Sequence, residues 1–364
     1  MSAVYFVCPD SKHPRGGIKE IYRHASILRK AGVDAWVLHD TRSFSGDWFT
    51  HGAGVAFLHH SSGHRVRRTI GNLNWRLRRF SPSSELALKP GSEIRIDGTT
   101  ALRRLDSEDT VVFPEVYGAQ LDGACAECPV VVFNQGVFGT FNGYGYGTRP
   151  MPNVYAQRNT VGAICVSEHS RRYLHFAFPN LKVVRTINGV DGGVFYPDGV
   201  EARPKQIAVM PRRQTNHLEQ VVQMLRCRGS LADWKIEVID GLREQPVADV
   251  LRRSSIFLTG AVDQGFGLPP LEAALCGCLI VGYTGSGADE FLTPEFAWPV
   301  PQNDILAFAQ AVEEVLDLCR REPETVANRR RTYAAYLRER YSLEREQESV
   351  LSAWQTLRPE CFHP

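Results

Sequence analysis

Short runs of β-branched and other apolar residues alternate with longer amphipathic stretches along nearly the whole chain, and the alternation restarts once. In the first series, residues 3–8 read as a buried strand and 17–31 as a helix with Ile18, Ile21, Ala25 and Leu28 on one face. Residues 33–39, 111–114, 130–134 and 162–167 are further runs of strand length. In the second series, strands are expected at 206–210, 234–239, 255–259 and 279–283, with helices at 217–226, 247–253 and 270–276. Such alternation specifies parallel strands joined by crossover helices, so the expected class is α/β with two doubly wound sheets. Residues 188–205, rich in Gly, Pro and Asp, form the expected join. Beyond Pro299 the periodicity is helical, at 304–320, 325–341 and 343–357. The expected domains are 1–190, 191–335 and a helical segment, 336–364, that packs back toward the first.

A chain of 364 residues with 43% hydrophobic content can bury two ordinary cores, which excludes wholesale disorder. No window approaches the ~20 continuous apolar residues of a membrane span. Nine scattered cysteines, an odd count, point to reduced thiols and a cytoplasmic protein, with peripheral membrane contact as a further option. Residues 1–190 carry 23 Lys+Arg against 15 Asp+Glu, and the remainder 19 against 25. The basic half calls for an anionic partner. Its most basic stretch, from Arg65 to Arg79, has apolar residues at helical spacing. Such a helix suits an anionic membrane or acceptor, or the phosphates of DNA.

The segment from Asp263 to Cys278 carries the most chemistry. A buried strand ends at Thr259, a loop with Gly265, Phe266, Gly267 and Leu268 follows, and a helix begins with proline in its first turn. Glycines allow close approach of a ligand, and the free N–H groups of a helix start favour negative charge, as in a diphosphate. Glu272, expected in the first turn, can accept hydrogen bonds from sugar hydroxyls.

This string, with residues 285–290 after it, resembles the donor-binding region of retaining glycosyltransferases of the GT-B architecture. It is most similar to the large family-four group, the glycosyl transferases group 1. Arg15-Gly16-Gly17 resembles their N-terminal glycine loop, Val166-Ser167-Glu168 the exit of the last N-domain strand, and Asn188-Gly189-Val190-Asp191 the interdomain signature. The resemblance implies two Rossmann-like domains facing across a cleft, a nucleotide-diphosphate sugar as co-substrate, and neither a cofactor nor a metal. The family motif has two glutamates separated by seven residues, and here Gln264 stands in the first position. Gln264 can donate and accept hydrogen bonds but cannot carry charge. By the same resemblance, Arg212 and Arg213 bind the donor phosphates, helped by Gly16 and Gly17. Glu272 binds the ribose, and Gln264 and Glu290 lie at the sugar. Arg212, Arg213, Gln264 and Glu272 are the catalytic candidates.

On the acceptor side, Glu115, Asn134 and Gln135 follow strands and are expected to face the cleft. The aromatic and glycine-rich stretch 138–146 reads either as an acceptor loop or as an ordinary packed loop. Cys125 and Cys128 have redox or metal spacing without a second pair nearby. The expected activity is transfer of a sugar to an acceptor hydroxyl, on a surface glycan or a lipid-linked saccharide. The alternatives are transfer to a hydroxylated base in DNA, or donor binding with little transfer.

Overall fold

The computed structural model describes residues 2–11, 15–40, 44, 49, 51–59, 87–147, 153–199, 203–211 and 215–362. Arg212, Arg213 and the basic stretch from Arg65 to Arg79 lie outside the described residues. The chain divides into two compact units. The first comprises Met1–Cys165, Ser170–Thr186 and Ser349–Pro364, and the second Val166–His169 and Ile187–Glu348.

The first unit is built on β1 (Val4–Val7), β2 (Ala35–His39), β3 (Gly54–Leu58), β4 (Glu93–Ile96), β5 (Leu102–Arg104), β6 (Thr110–Pro114), β7 (Val130–Asn134), β8 (Thr160–Cys165) and β9 (Val183–Arg185). The sheet order is β5-β4-β3-β2-β1-β6-β7-β8-β9. Every residue of β1, β6 and β7 is buried, as parallel strands covered on both faces require. At one edge the sheet departs from the all-parallel expectation, because β4 pairs antiparallel with both β3 and β5. Only residues 97–101 join β4 to β5, too short a link for a parallel crossover.

Helix α1 (Gly16–Lys30) buries Ile18, Ile21, Tyr22, Ala25 and Leu28 on one stripe. Arg29 and Lys30 in its last turn complement the negative end of its dipole. Helix α2 (Glu168–Ala177) follows β8. Trp354, near the end of the chain, is fully buried in this unit, with its ring edge-on to Phe6 at 5.6 Å.

The second unit carries β10 (Gln206–Val209), β11 (Lys235–Val238), β12 (Ile256–Thr259), β13 (Leu279–Gly282) and β14 (Trp298–Pro299). They form a wholly parallel sheet in the order β11-β10-β12-β13-β14. Helices α3 (Thr215–Cys227), α4 (Glu244–Arg252) and α5 (Leu268–Leu275) are its crossovers, followed by α6 (Ile305–Arg321) and α7 (Pro323–Arg340), whereas α8 (Leu343–Leu357) begins in this unit and from Ser349 onward belongs to the first. The core of the second unit joins Ile207, Val209, Ile256, Leu258 and Val281 from the strands to Leu218, Val221, Phe308 and Val312 from α3 and α6. Among the described residues no helix is long and apolar enough to cross a membrane.

Candidate functional site

In the second unit, β12 ends at Thr259 and α5 starts at Leu268, so the Gly-punctuated loop occupies the carboxyl edge of the sheet, where open α/β sheets bind ligands. Gly267 is the N-cap of α5, at φ 100° and ψ 55°. A side chain there would strain that left-handed backbone and meet Gln264 Oε1 at 2.9 Å. α5 begins at Leu268 rather than 270, because its two prolines occupy N2 and N3, where no intrahelical N–H is needed. Glu272 is therefore the fifth helical residue, in the second turn. The expected first-turn placement is corrected, and the first turn holds no acidic side chain.

Gln264 is half-buried and tied to a second loop. Its backbone N–H donates to Gly285 O at 3.1 Å, and its carbonyl accepts from Gly287 N at 3.2 Å. Between them Ser286 sits at φ 68°, a left-handed conformation that costs a non-glycine residue ~1–2 kcal/mol. Gly287 is not held open for a ligand: a Cβ there would lie 2.3 Å from Gly265 C and O, so the two loops touch backbone to backbone. The Phe266 ring is buried against Phe291 at 5.4 Å and Tyr341 at 5.5 Å, which leaves only the backbone of this residue to face a donor. Both Glu290 oxygens are engaged, Oε2 by the Glu168 N–H at 2.9 Å and Oε1 by the Tyr341 hydroxyl at 3.1 Å. Nearby, His217 on α3 is edge-on to Tyr283 at 5.8 Å. His217 Nδ1 and the Tyr283 hydroxyl are buried with no hydrogen-bond partner among the described residues. Sequence reasoning missed Tyr283, although a tyrosine directly beyond a buried strand is the available signal.

In the first unit, Gly17, Glu115 and Gln135 meet where β6 and β7 end and α1 begins. The Gln135 N–H donates to Glu115 Oε2 at 2.9 Å, and Gln135 Nε2 donates to the Gly17 carbonyl at 2.9 Å. A Cβ on Gly17 would approach Gln135 Oε1 to 3.0 Å. Gly16 opens α1 beside it. Asn134 does not join this group, which corrects the expectation that it faces outward. It is fully buried, with Nδ2 donating to Thr140 Oγ1 at 2.9 Å and to the Tyr155 hydroxyl at 2.7 Å. Within 138–146 the rings divide. Tyr144 donates to Asp122 at 2.6 Å and Phe141 packs on Phe178 at 5.8 Å, whereas Phe138 is 41% exposed.

A polar chain that sequence reasoning also missed lies beyond β1 and β2. Asp10 Oδ1 is 2.8 Å from His39 Nδ1, and His39 Nε2 is 2.7 Å from the Tyr22 hydroxyl. Cys125 and Cys128 are both buried. A hydrogen bond from Cys128, with backbone N–H groups, draws the Cys125 thiol down to about 7, against the opposing effect of burial. No group of three His, Cys, Asp or Glu able to hold a metal is present among the described residues.

Residues 207–318 match the family model of the glycosyl transferases group 1. No curated protein sequence matches the chain. Among solved structures, sucrose-phosphate synthase from Thermosynechococcus elongatus is similar at a TM-score of 0.63 and 13% identity, covering 99% of this chain and 100% of that one. HepE from Anabaena, in complex with UDP and glucose, gives 0.63 at 13% identity over 98% and 100%. TarM from S. aureus, in a complex that includes UDP, gives 0.63 at 9% identity over 100% of each chain. These structures share the fold of this chain, and the family match falls on the unit that holds the Gly265–Gly267 loop. Residues 207–318 of the second unit thus resemble a glycosyl transferases group 1 domain, and the chain as a whole has the fold of these solved structures.

Proposed function

We propose that the chain is a retaining glycosyltransferase that moves a sugar from a nucleotide-diphosphate sugar to an acceptor hydroxyl, on a surface glycan or a lipid-linked saccharide. The observation that carries this reading is the start of α5. A left-handed Gly267 caps it, no acidic side chain stands in its first turn, and the N–H groups of Gly267 and Leu268, ahead of Pro269 and Pro270, which have none, suit a diphosphate at the positive end of the helix. UDP in the HepE and TarM complexes supports a donor of this class.

In this reading Arg212 and Arg213, beyond the end of β10, clamp the diphosphate and neutralise the charge that develops as it leaves. The leaving diphosphate helps deprotonate the acceptor hydroxyl, on the same face of the sugar that it departs from, without a metal. Glu272 accepts hydrogen bonds from the ribose. Gln264, held by Gly285 and Gly287, offers a carboxamide to the sugar. The Glu115–Gln135–Gly17 group of the first unit orients the acceptor.

A thermal-shift panel of nucleotide sugars and free nucleotides tests the donor. A ligand at ~100 times its Kd adds about 2.7 kcal/mol, so one nucleotide series is expected to raise the melting temperature clearly. Glu272→Ala should weaken that series at least tenfold. The reading falls if no nucleotide shifts the wild type, or if Glu272→Ala binds and turns over donor unchanged.

A further inference from the structure

The second unit contains a cavity of about 390 Å³ that none of these roles uses. Leu275, the last residue of α5, lies in its wall, so the cavity sits at the opposite end of that helix from the Gly267 cap. At a rise of ~1.5 Å per residue the two ends are roughly 10 Å apart.

Its polar lining comprises Asp191, Arg338, Ser342 and Glu344, and its rings are Tyr196 and Tyr341. Asp191 spends one carboxylate oxygen on the Gly193 N–H at 2.8 Å. Arg338 is exposed and makes no hydrogen bond or ion pair among the described residues. The Ser342 hydroxyl hydrogen-bonds Glu344 and holds its carboxyl below the usual range. Tyr196 is 40% exposed, and the Arg252 guanidinium lies over its ring at 4.6 Å.

This set of groups selects a chemistry by exclusion. An anion would be repelled by Asp191 and Glu344, and a simple cation would meet Arg338. An apolar ligand would cover the Arg338 guanidinium and the remaining carboxylate oxygens of Asp191 and Glu344 without pairing them. A polyol satisfies all of them, with hydroxyls donating to the carboxylates and accepting from the guanidinium, and a C–H face against an aromatic ring. The volume falls in the range of small-molecule sites. We infer that this cavity binds a neutral saccharide unit at a position separate from the donor and acceptor sites proposed above. Through Tyr341 the cavity wall also reaches Glu290 and Phe266, next to the donor loop.

The test is saturation-transfer NMR and titration of the full chain with D-glucose, N-acetylglucosamine and maltotriose. Wild type is compared with Tyr196→Ala, Arg338→Ala and Glu272→Ala. At least one saccharide is expected to bind wild type and Glu272→Ala alike, and at least tenfold more weakly to Tyr196→Ala and Arg338→Ala. Arg338 is exposed and without a partner, so its truncation leaves the fold intact and decides the matter should Tyr196→Ala unfold. Binding by none of the three saccharides, or equal binding by Arg338→Ala, overturns the inference. Loss of binding in Glu272→Ala alone also overturns it, since the sugar would then occupy the donor site. The nucleotide panel reads the donor site separately, so either proposal can fail while the other stands.

Discussion

Tyr341 reaches Glu290 with its hydroxyl at 3.1 Å while its ring lies edge-on to Phe266 at 5.5 Å, so one side chain supports both loops of the candidate donor site. Tyr341→Phe removes the hydrogen bond and keeps the ring, and should cost about 0.5–1.5 kcal/mol. Glu290→Ala also strips the acceptor from the Glu168 N–H and should cost about 1–3 kcal/mol. Since both substitutions break the same bond, the double variant should be little worse than Glu290→Ala alone, as read from urea unfolding.

Adjacent amides at the end of β7 should behave oppositely. Asn134→Leu leaves the buried Tyr155 and Thr140 hydroxyls without their donor and should destabilise by about 2–4 kcal/mol. Gln135→Ala, at a half-buried position, should change stability by less than about 1.5 kcal/mol while raising the KM for acceptor. Thermal melts and acceptor titrations at fixed donor separate the two effects.

Gly287→Ala pushes a methyl into the Gly265 backbone, which cannot swing aside as a flexible side chain would. The two loops must then part, and donor affinity should fall at least tenfold, about 1.4 kcal/mol or more. Calorimetric titration of the best nucleotide from the thermal-shift panel gives the number directly.

His24 is buried between Phe6 and Phe133, and burial lowers its imidazole to about 3. The unfolded chain takes up this proton near pH 6.5, so unfolding binds a proton between about 6.5 and 3, and stability falls as the pH drops through that window. At pH 4.5 the loss from this ring alone should be ~2–3 kcal/mol relative to pH 7. His24→Leu should flatten that acid limb in urea midpoints measured across the pH range.

The central strands could be read because each is a continuous apolar run, and α1 because its stripe repeats every three to four residues. The β4–β5 edge was missed, although Ile94 and Ile96 alternate with Glu93 and Arg95 in the pattern of a half-covered strand. Strand β9 has only three residues, too few for any periodicity. At the candidate site, the spacing located Gly267 and Glu272 but fixed the helical turn of Glu272 wrongly, because the start of α5 depends on which residue takes the left-handed cap. Asn134 carried a usable signal: it shares parity along β7 with Val130 and Val132, which both belong to the core. The Phe266 ring and the Gln264–Gly285 contact gave no such signal, since loop residues have no fixed alternation and their partners are distant in sequence.

The first unit is completed by Ser349–Pro364, after the chain has passed through the whole of the second. On the ribosome, at ~5–20 residues per second, that passage takes roughly 8–32 s. For that interval the nine-stranded sheet exists without Trp354 over Phe6, and Val326, the last residue of the second unit's core cluster, is made before Trp354 arrives. The half that is translated first is therefore the half that finishes folding last, and its uncovered Phe6 face is where a chaperone would have to wait.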